Sequence, residues 1–401
     1  MFNSLKFKVI LFGFIFTFFS SFGQSYFLGL FNSSIREALS ITHGQFGSIF
    51  ASATLCSSLL LIWVGKKIDD VNIFKFAFFV TILLSFACFF FSRITSVFLL
   101  FIGIFLMRFS GQGMMSHTAS TTISRYFTRT RGRALSISWF GLSSAEFVMP
   151  VLMVYLLTII DWQNLWIIFS ITVLIVLPIV SFLLIKNLNL DSREANDENK
   201  KEVEIKQWKR REVIKDYRFY IISSNMLAMP WIFTGFAVFQ SFVQTSKGWG
   251  PYVIAQSFMS YSIFSVLTLF LSGFLIDKYS SRKLLIYMNI PLLLSVIVLF
   301  SFDTPVTAFV FLGLVGISNG FANILGSSTW AELYGVKYLG SIKALTTALM
   351  VFATAFGTAL FGYLIDTGFT VGDIAVVSGT YIFISLILLF FVRKKLNPVI
   401  I

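Results

Sequence analysis

Charge is scarce in this chain, and so are the residues that build most catalytic and structural sites. Only 12% of its 401 residues are Asp, Glu, Lys or Arg, about half the share of a soluble domain. The two cysteines, Cys56 and Cys88, lie inside apolar runs and give neither a disulfide framework nor a metal-ligand spacing. The two histidines, His43 and His117, are too few and too isolated for a zinc site. These shortages exclude a soluble enzyme, a disulfide scaffold and a disordered chain, and they call for no metal and no cofactor. What abounds is apolar. Hydrophobic residues make up 57% of the chain, 50 of them Phe, and the mean hydropathy is +0.85. Lipid is the solvent that suits this composition.

A membrane-spanning helix needs about 20 mostly apolar residues. Twelve such runs are predicted, at about 9–31, 44–64, 73–92, 96–118, 134–158, 164–185, 219–244, 252–276, 284–301, 305–330, 342–364 and 374–392. The first is longer than the core of a cleaved signal peptide, about 7–15 residues, so it is read as a retained helix. If the N-terminus is placed in the cytoplasm, 27 of the 31 Lys and Arg fall on the cytoplasmic side. Arg36, Arg93 and Lys247 fall outside, and Arg108 lies within a span. That bias sets a topology with both termini cytoplasmic. It also explains the net charge of +13 without nucleic acid as a partner. The expected location is the inner (cell) membrane, with the chain in multi-pass contact with lipid.

The segment 186–218 is the one long polar stretch, rich in both Lys/Arg and Asp/Glu. It divides the chain into residues 1–186, with six spans, a cytoplasmic linker at 187–216, and residues 217–401, with six more. The halves echo each other. Gly65 and Asp69 follow the second span, Gly273 and Asp277 follow the eighth, and both pairs are displaced by 208 positions. Arg133-Ala134-Leu135 opens the fifth span as Lys343-Ala344-Leu345 opens the eleventh. The expected fold is therefore an all-α polytopic membrane protein, twelve transmembrane helices in two pseudo-symmetric six-helix halves. Internal repeats of this kind mark secondary transporters.

Twelve spans, the Gly-x-x-x-Asp pattern with its echo and the charged central loop together resemble the major facilitator superfamily, over essentially the whole chain. Arg125-Tyr126-Phe127, Arg131 to Ser136 and Gly141 look like its monocarboxylate and oxalate/formate transporter branch. The resemblance implies a major facilitator fold working by alternating access. It implies that spans 1, 4, 7 and 10 line the transport cavity, which brings Gln24, Tyr26, Asn225, Gln240, Asn319 and Asn323 forward as lining residues. It further implies that Asp69 contacts the start of span 11, near Ser341. By pseudo-symmetry Asp277 meets the start of span 5, near Arg133. Gly65, Asp69, Gly273, Asp277 and Arg133 are then gating residues.

Only two fully charged residues lie deep in spans. Arg108 is 12 residues past Ser96 and Glu146 is 13 past Arg133, about 18 and 20 Å at 1.5 Å per residue. In a hydrocarbon core about 30 Å thick both are near mid-depth, on antiparallel spans. A charge there costs at least about 2.5–3.5 kcal/mol on insertion scales. One reading is a permanent ion pair that fixes the two helices. The other is a site in which Arg108 takes an anion and Glu146 takes a proton. Arg suits a carboxylate because its planar fork donates two parallel hydrogen bonds. Anion and Glu146 then compete for Arg108, and protonating Glu146 frees it. The expectation is a monomeric secondary transporter, not an enzyme, moving a small organic anion, a monocarboxylate, with a proton by symport. A proton-driven exporter of amphipathic or cationic compounds, with Glu146 as its anionic contact, is the alternative.

Overall fold

The computed structural model describes residues 5–127, 130–186 and 206–398, and no strand occurs among them. Among the described residues, twelve helices are long and apolar enough to cross a membrane, one for each predicted run. They are α1 (Leu5–Gly29), α2 (His43–Ile68), α3 (Ile73–Phe91), α4 (Val97–Tyr126), α5 (Gly132–Leu156), α6 (Trp162–Ile185), α7 (Tyr217–Val238), α8 (Val253–Ile276), α9 (Ser281–Ser301), α10 (Pro305–Tyr334), α11 (Leu339–Asp366) and α12 (Val371–Lys395).

Local chemistry sets where they begin. A capping box opens α2, with Gln45 N donating to Thr42 Oγ1 at 3.2 Å and Thr42 N to Gln45 Oε1 at 2.9 Å. Asn72 accepts from Phe74 N at the start of α3, Ser96 from Leu99 N at the start of α4, and Asp216 from Arg218 N at the start of α7. Helix α4 runs past its expected end at 118 to Tyr126. In the polar run there Thr118 and Thr122 donate back to the carbonyls four residues earlier, both at 2.7 Å, which satisfies their buried hydroxyls within the helix.

The chain divides into two compact units, Met1–Asn199 and Lys200–Ile401. In the first, α1 packs on α5, α2 on α4 and α3 on α6. In the second, α7 packs on α11, α8 on α10 and α9 on α12. The same three pairings recur six helices later, which gives structural content to the repeat of Gly, Asp and Arg/Lys-Ala-Leu. Each unit buries aromatic rings where its helices cross. Trp166 meets Phe91 at 4.7 Å and Phe31 at 5.1 Å in the first. In the second, Trp231 meets Tyr381 at 5.2 Å and Phe236 meets Phe361 at 4.9 Å. Other rings, among them Phe98, Phe182, Phe274 and Phe391, are exposed along the spans, as lipid-facing residues are.

Among the described residues, three spans depart from regular helix in their interior. The first run was expected to be continuous over 9–31. Instead α1 is helical to Ser20, tightens into a 3₁₀ turn over Ser21–Gly23, and passes through Gln24 in extended conformation (φ −78°, ψ 150°) before a last turn at Ser25–Gly29. Helix α4 widens into a π-helical stretch over Arg108–Met115. Helix α9 breaks at Asn289, between Met288 and Ile290, two residues before Pro291. The first two departures touch. A Cβ built on Gly111 would lie 2.7 Å from Gly23 N, and one on Gly23 would meet the backbone of Met107 and Gln112. Gly23→Ala should therefore push α1 and α4 apart, at an overpacking cost of about 1–3 kcal/mol. A thermal-unfolding scan in detergent should show the lower midpoint.

Candidate substrate-binding site

The break in α1 and the π-helical stretch of α4 determine the surroundings of Arg108. Leaving the helix at Ser21–Gly23 frees backbone carbonyls that an unbroken helix would occupy. Arg108 takes one of them. Its Nη1 donates to Gly23 O at 3.0 Å and to Ser25 Oγ at 3.1 Å, the residue that begins the next helical turn. The guanidinium carbon stands 5.3 Å from the centroid of the Phe50 ring of α2, within cation–π range. Arg108 is 3% exposed. Its Nε is buried without a hydrogen-bond partner. All three groups that hold it are neutral.

Glu146 sits on α5 and is 7% exposed. Helix α5 is brought to α1 by Thr17 Oγ1, which donates to Ser138 O at 2.5 Å, two turns before Glu146. Among the described residues Glu146 makes no ion pair with Arg108, and no hydrogen bond of its carboxyl is formed. The Tyr26 hydroxyl, on the last turn of α1, lies within electrostatic reach of that carboxyl. In this conformation the permanent ion pair is not made. The first unit thus holds a buried cation and a buried acid on neighbouring helices, each without a counter-charge. Sequence reasoning named Arg108, Glu146, Gln24 and Tyr26 as candidates. It missed Ser25, Phe50 and the Gly23 carbonyl, because none of them carries charge or a motif. Ser20-Ser21 with Gly23 was the available signal for a break.

A family description, the Major Facilitator Superfamily, matches residues 13–259 and again 221–400. The chain belongs to the major facilitator superfamily. Solved structures agree on the fold. A bacterial homolog of the human lysosomal transporter Spinster, in an inward-facing and unoccupied conformation, superposes with a TM-score of 0.73 at 13% identity, over 98% of both chains. The nucleoside transporter NupG superposes at 0.70 and 16% identity, over 98% of this chain and 99% of its own. A search of curated proteins gave no match. As a major facilitator protein the chain is a multi-pass membrane transporter of small molecules, not an enzyme.

The second unit of this major facilitator chain places its expected lining residues unequally. Asn319 on α10 donates from Nδ2 to Ser265 Oγ on α8 at 2.9 Å, while Asn323, one turn on, is exposed. The contact is close because Gly316 and Gly320 face α8. A Cβ on Gly320 would lie 2.6 Å from Ser265 O. Asn225 on α7 is fully buried, and its carbonyl accepts from Asn289 Nδ2 at 2.5 Å, at the break in α9. Gln240 follows the end of α7 and donates to Ala237 O at 2.9 Å.

The Gly-x-x-x-Asp copies also differ. The Gly65 carbonyl is bonded to His117 Nε2 at 3.0 Å, and Arg125 Nη1 donates to Ile68 O at 3.0 Å, so α4 pins the last turn of α2. A Cβ on Gly273 would meet nothing within 4 Å. Arg133 is exposed in the first turn of α5. The side chains of Asp69 and Asp277 lie outside the described residues, as does most of the predicted linker at 187–216.

Proposed function

We propose that this transporter moves a small organic anion, a monocarboxylate, together with a proton. Arg108 is the anion anchor and Glu146 the proton carrier. The observation that carries the reading is a guanidinium buried to 97% whose Nη1 is held by neutral oxygens while its Nε has no partner. The edge formed by Nε and Nη2 is the one that takes a carboxylate in two parallel hydrogen bonds. With Glu146 protonated, the site carries the single charge of Arg108, and a monovalent anion neutralises it. Gln24, Tyr26, Asn225, Gln240, Asn319 and Asn323 are assigned to the same transport path. The protein is assigned to the inner membrane as a monomer with both termini cytoplasmic, divided at 1–186, 187–216 and 217–401.

The test is a binding panel on purified protein at pH 5.5 and 7.5, comprising monocarboxylates, dicarboxylates, organic cations and nucleosides. Nucleosides belong in it because one similar structure is a nucleoside transporter. Monocarboxylates should raise the unfolding temperature, more so at pH 5.5. Stabilisation by cations alone would replace this reading with that of an exporter using Glu146.

We assign Gly65, Asp69, Gly273, Asp277 and Arg133 to the gate. Because Asp70 stands beside Asp69 and can substitute as the anion, the informative variant is Asp69→Asn with Asp70→Asn. It should change the labelling rate of a cysteine introduced beside Arg108. An unchanged rate in a folded variant would leave these aspartates as helix caps.

A further inference from the structure

Helix α12 ends in Arg393-Lys394-Lys395, a single 3₁₀ turn with all three residues exposed. None of them forms an ion pair among the described residues. One residue, Val392, separates the turn from two exposed rings, Phe390 at 47% and Phe391 at 75%. The Arg393 guanidinium rests 3.8 Å over the Phe390 ring, which holds that cation at the edge of the apolar face.

Two other arginines hold the end of this turn and the two residues after it. Arg218 Nη1 donates to Lys395 O at 3.3 Å and to Asn397 O at 2.9 Å. Arg282 Nη1 donates to Leu396 O at 3.0 Å and to Asn397 Oδ1 at 2.8 Å. Arg218 is itself held by Asp216, at 2.8 Å, and Asp216 accepts from Tyr334 at 3.1 Å. Leu396 is 2% exposed, in an apolar cluster with Val213, Phe219, Leu285 and Tyr334. The general bias of basic residues toward one side of the membrane accounts for cations at this end. It does not account for two arginines holding the backbone at the point where a three-cation turn ends, one on Lys395 O and both on the two residues that follow. A fixed turn keeps its charges together and loses little freedom when a ligand binds.

We propose that the Arg393–Lys395 turn binds the phosphate of an anionic phospholipid. The headgroup meets the three cations while its acyl chains lie along Phe390 and Phe391. The adjoining lipid-facing rings favour a phospholipid over free phosphate, which has no apolar part to place there.

The test is native mass spectrometry of the full chain with phosphatidylglycerol or phosphatidylcholine, alongside thermal shifts with the same lipids. The wild type should retain phosphatidylglycerol in preference. The variant Arg393→Gln, Lys394→Gln, Lys395→Gln should lose about tenfold in phosphatidylglycerol affinity, since each surface cation adds to anionic-lipid binding. The single change Lys394→Glu, which leaves Arg393 on Phe390, should lower it in the same direction. The control Lys66→Gln, Lys67→Gln, Lys75→Gln removes three exposed cations from the first unit and should leave retention unchanged. Equal loss in the control would mean diffuse attraction and overturn the site. So would full retention by the triple variant, equal retention of the two lipids, or displacement of the lipid by inorganic phosphate.

Discussion

Replacing Arg108 with lysine is expected to lower monocarboxylate affinity roughly 10- to 150-fold, the equivalent of one charge-assisted hydrogen bond of about 1.5–3 kcal/mol. Positive charge is kept in this variant, so the loss isolates geometry from charge. Arginine satisfies Gly23 O and Ser25 Oγ with one nitrogen and still presents a second edge. A lysine ammonium has three donors on one atom. If two go to Gly23 and Ser25, one remains, and bidentate recognition is lost. Contact with the Phe50 ring does not replace it. Arg108→Ala should abolish specific binding, leaving only the weak, salt-sensitive association of anions with a basic protein. The check is substrate titration by thermal shift or calorimetry on detergent-solubilised variants, with intact folding shown by gel filtration. Near-normal affinity in Arg108→Ala would remove Arg108 as the anchor. Near-normal affinity in Arg108→Lys alone would mean that a point charge suffices and that the anion need not be planar.

The surroundings of this arginine mark the limit of what the sequence disclosed. Its position in the hydrophobic run was legible because a charge inside twenty apolar residues stands out at any boundary. The same holds for Glu146 and for the twelve spans, whose hydropathy signal does not depend on tertiary contacts. The break in α1 was not legible. Val9 to Phe31 reads as continuous helix by composition, and helix propensity at Ser21, Gly23 and Gln24 only weakly opposes that. The break becomes tolerable when a donor from another helix meets the released carbonyl. That donor, Arg108, is 85 residues away in the chain. The break of α9 at Asn289 has the same origin. It is stabilised by what faces it, Ser318 Oγ donating to the Met288 carbonyl at 2.8 Å. Likewise, the equal spacing of the two Gly-x-x-x-Asp copies hid their difference. His117 and Arg125 engage the first copy from α4, and no repeat pattern records that. The sequence thus located the charges of the site but not the neutral groups that orient them.

Glu146→Gln should keep exchange of labelled for unlabelled substrate while losing accumulation driven by a pH gradient. Glutamine has the shape of the protonated acid and no charge to titrate. A carrier locked in that state presents the same single positive charge at Arg108 in every conformer, so loading with an anion proceeds at any pH. It can therefore swap one anion for another. What it cannot do is return empty after delivering a proton, because it carries none. Net uptake from a tenfold proton gradient, worth about 1.4 kcal/mol per proton, should fall to the equilibrium level. The wild type should concentrate substrate up to about tenfold for each proton moved. The measurement is paired uptake and counterflow in proteoliposomes loaded at pH 7.5 and diluted to pH 6.5. Concentrative uptake by the variant would exclude Glu146 as the carrier. Loss of both activities with a lowered unfolding temperature would give Glu146 a structural role instead. The present arrangement argues against that outcome, because the carboxyl makes no hydrogen bond among the described residues that glutamine would break. The amide adds a donor within electrostatic reach of Tyr26 and removes no packing volume. Glu146→Asp offers a further discrimination. It keeps a titratable group but withdraws it by one methylene, so it should slow coupled uptake while preserving accumulation, which a purely structural role for Glu146 does not produce.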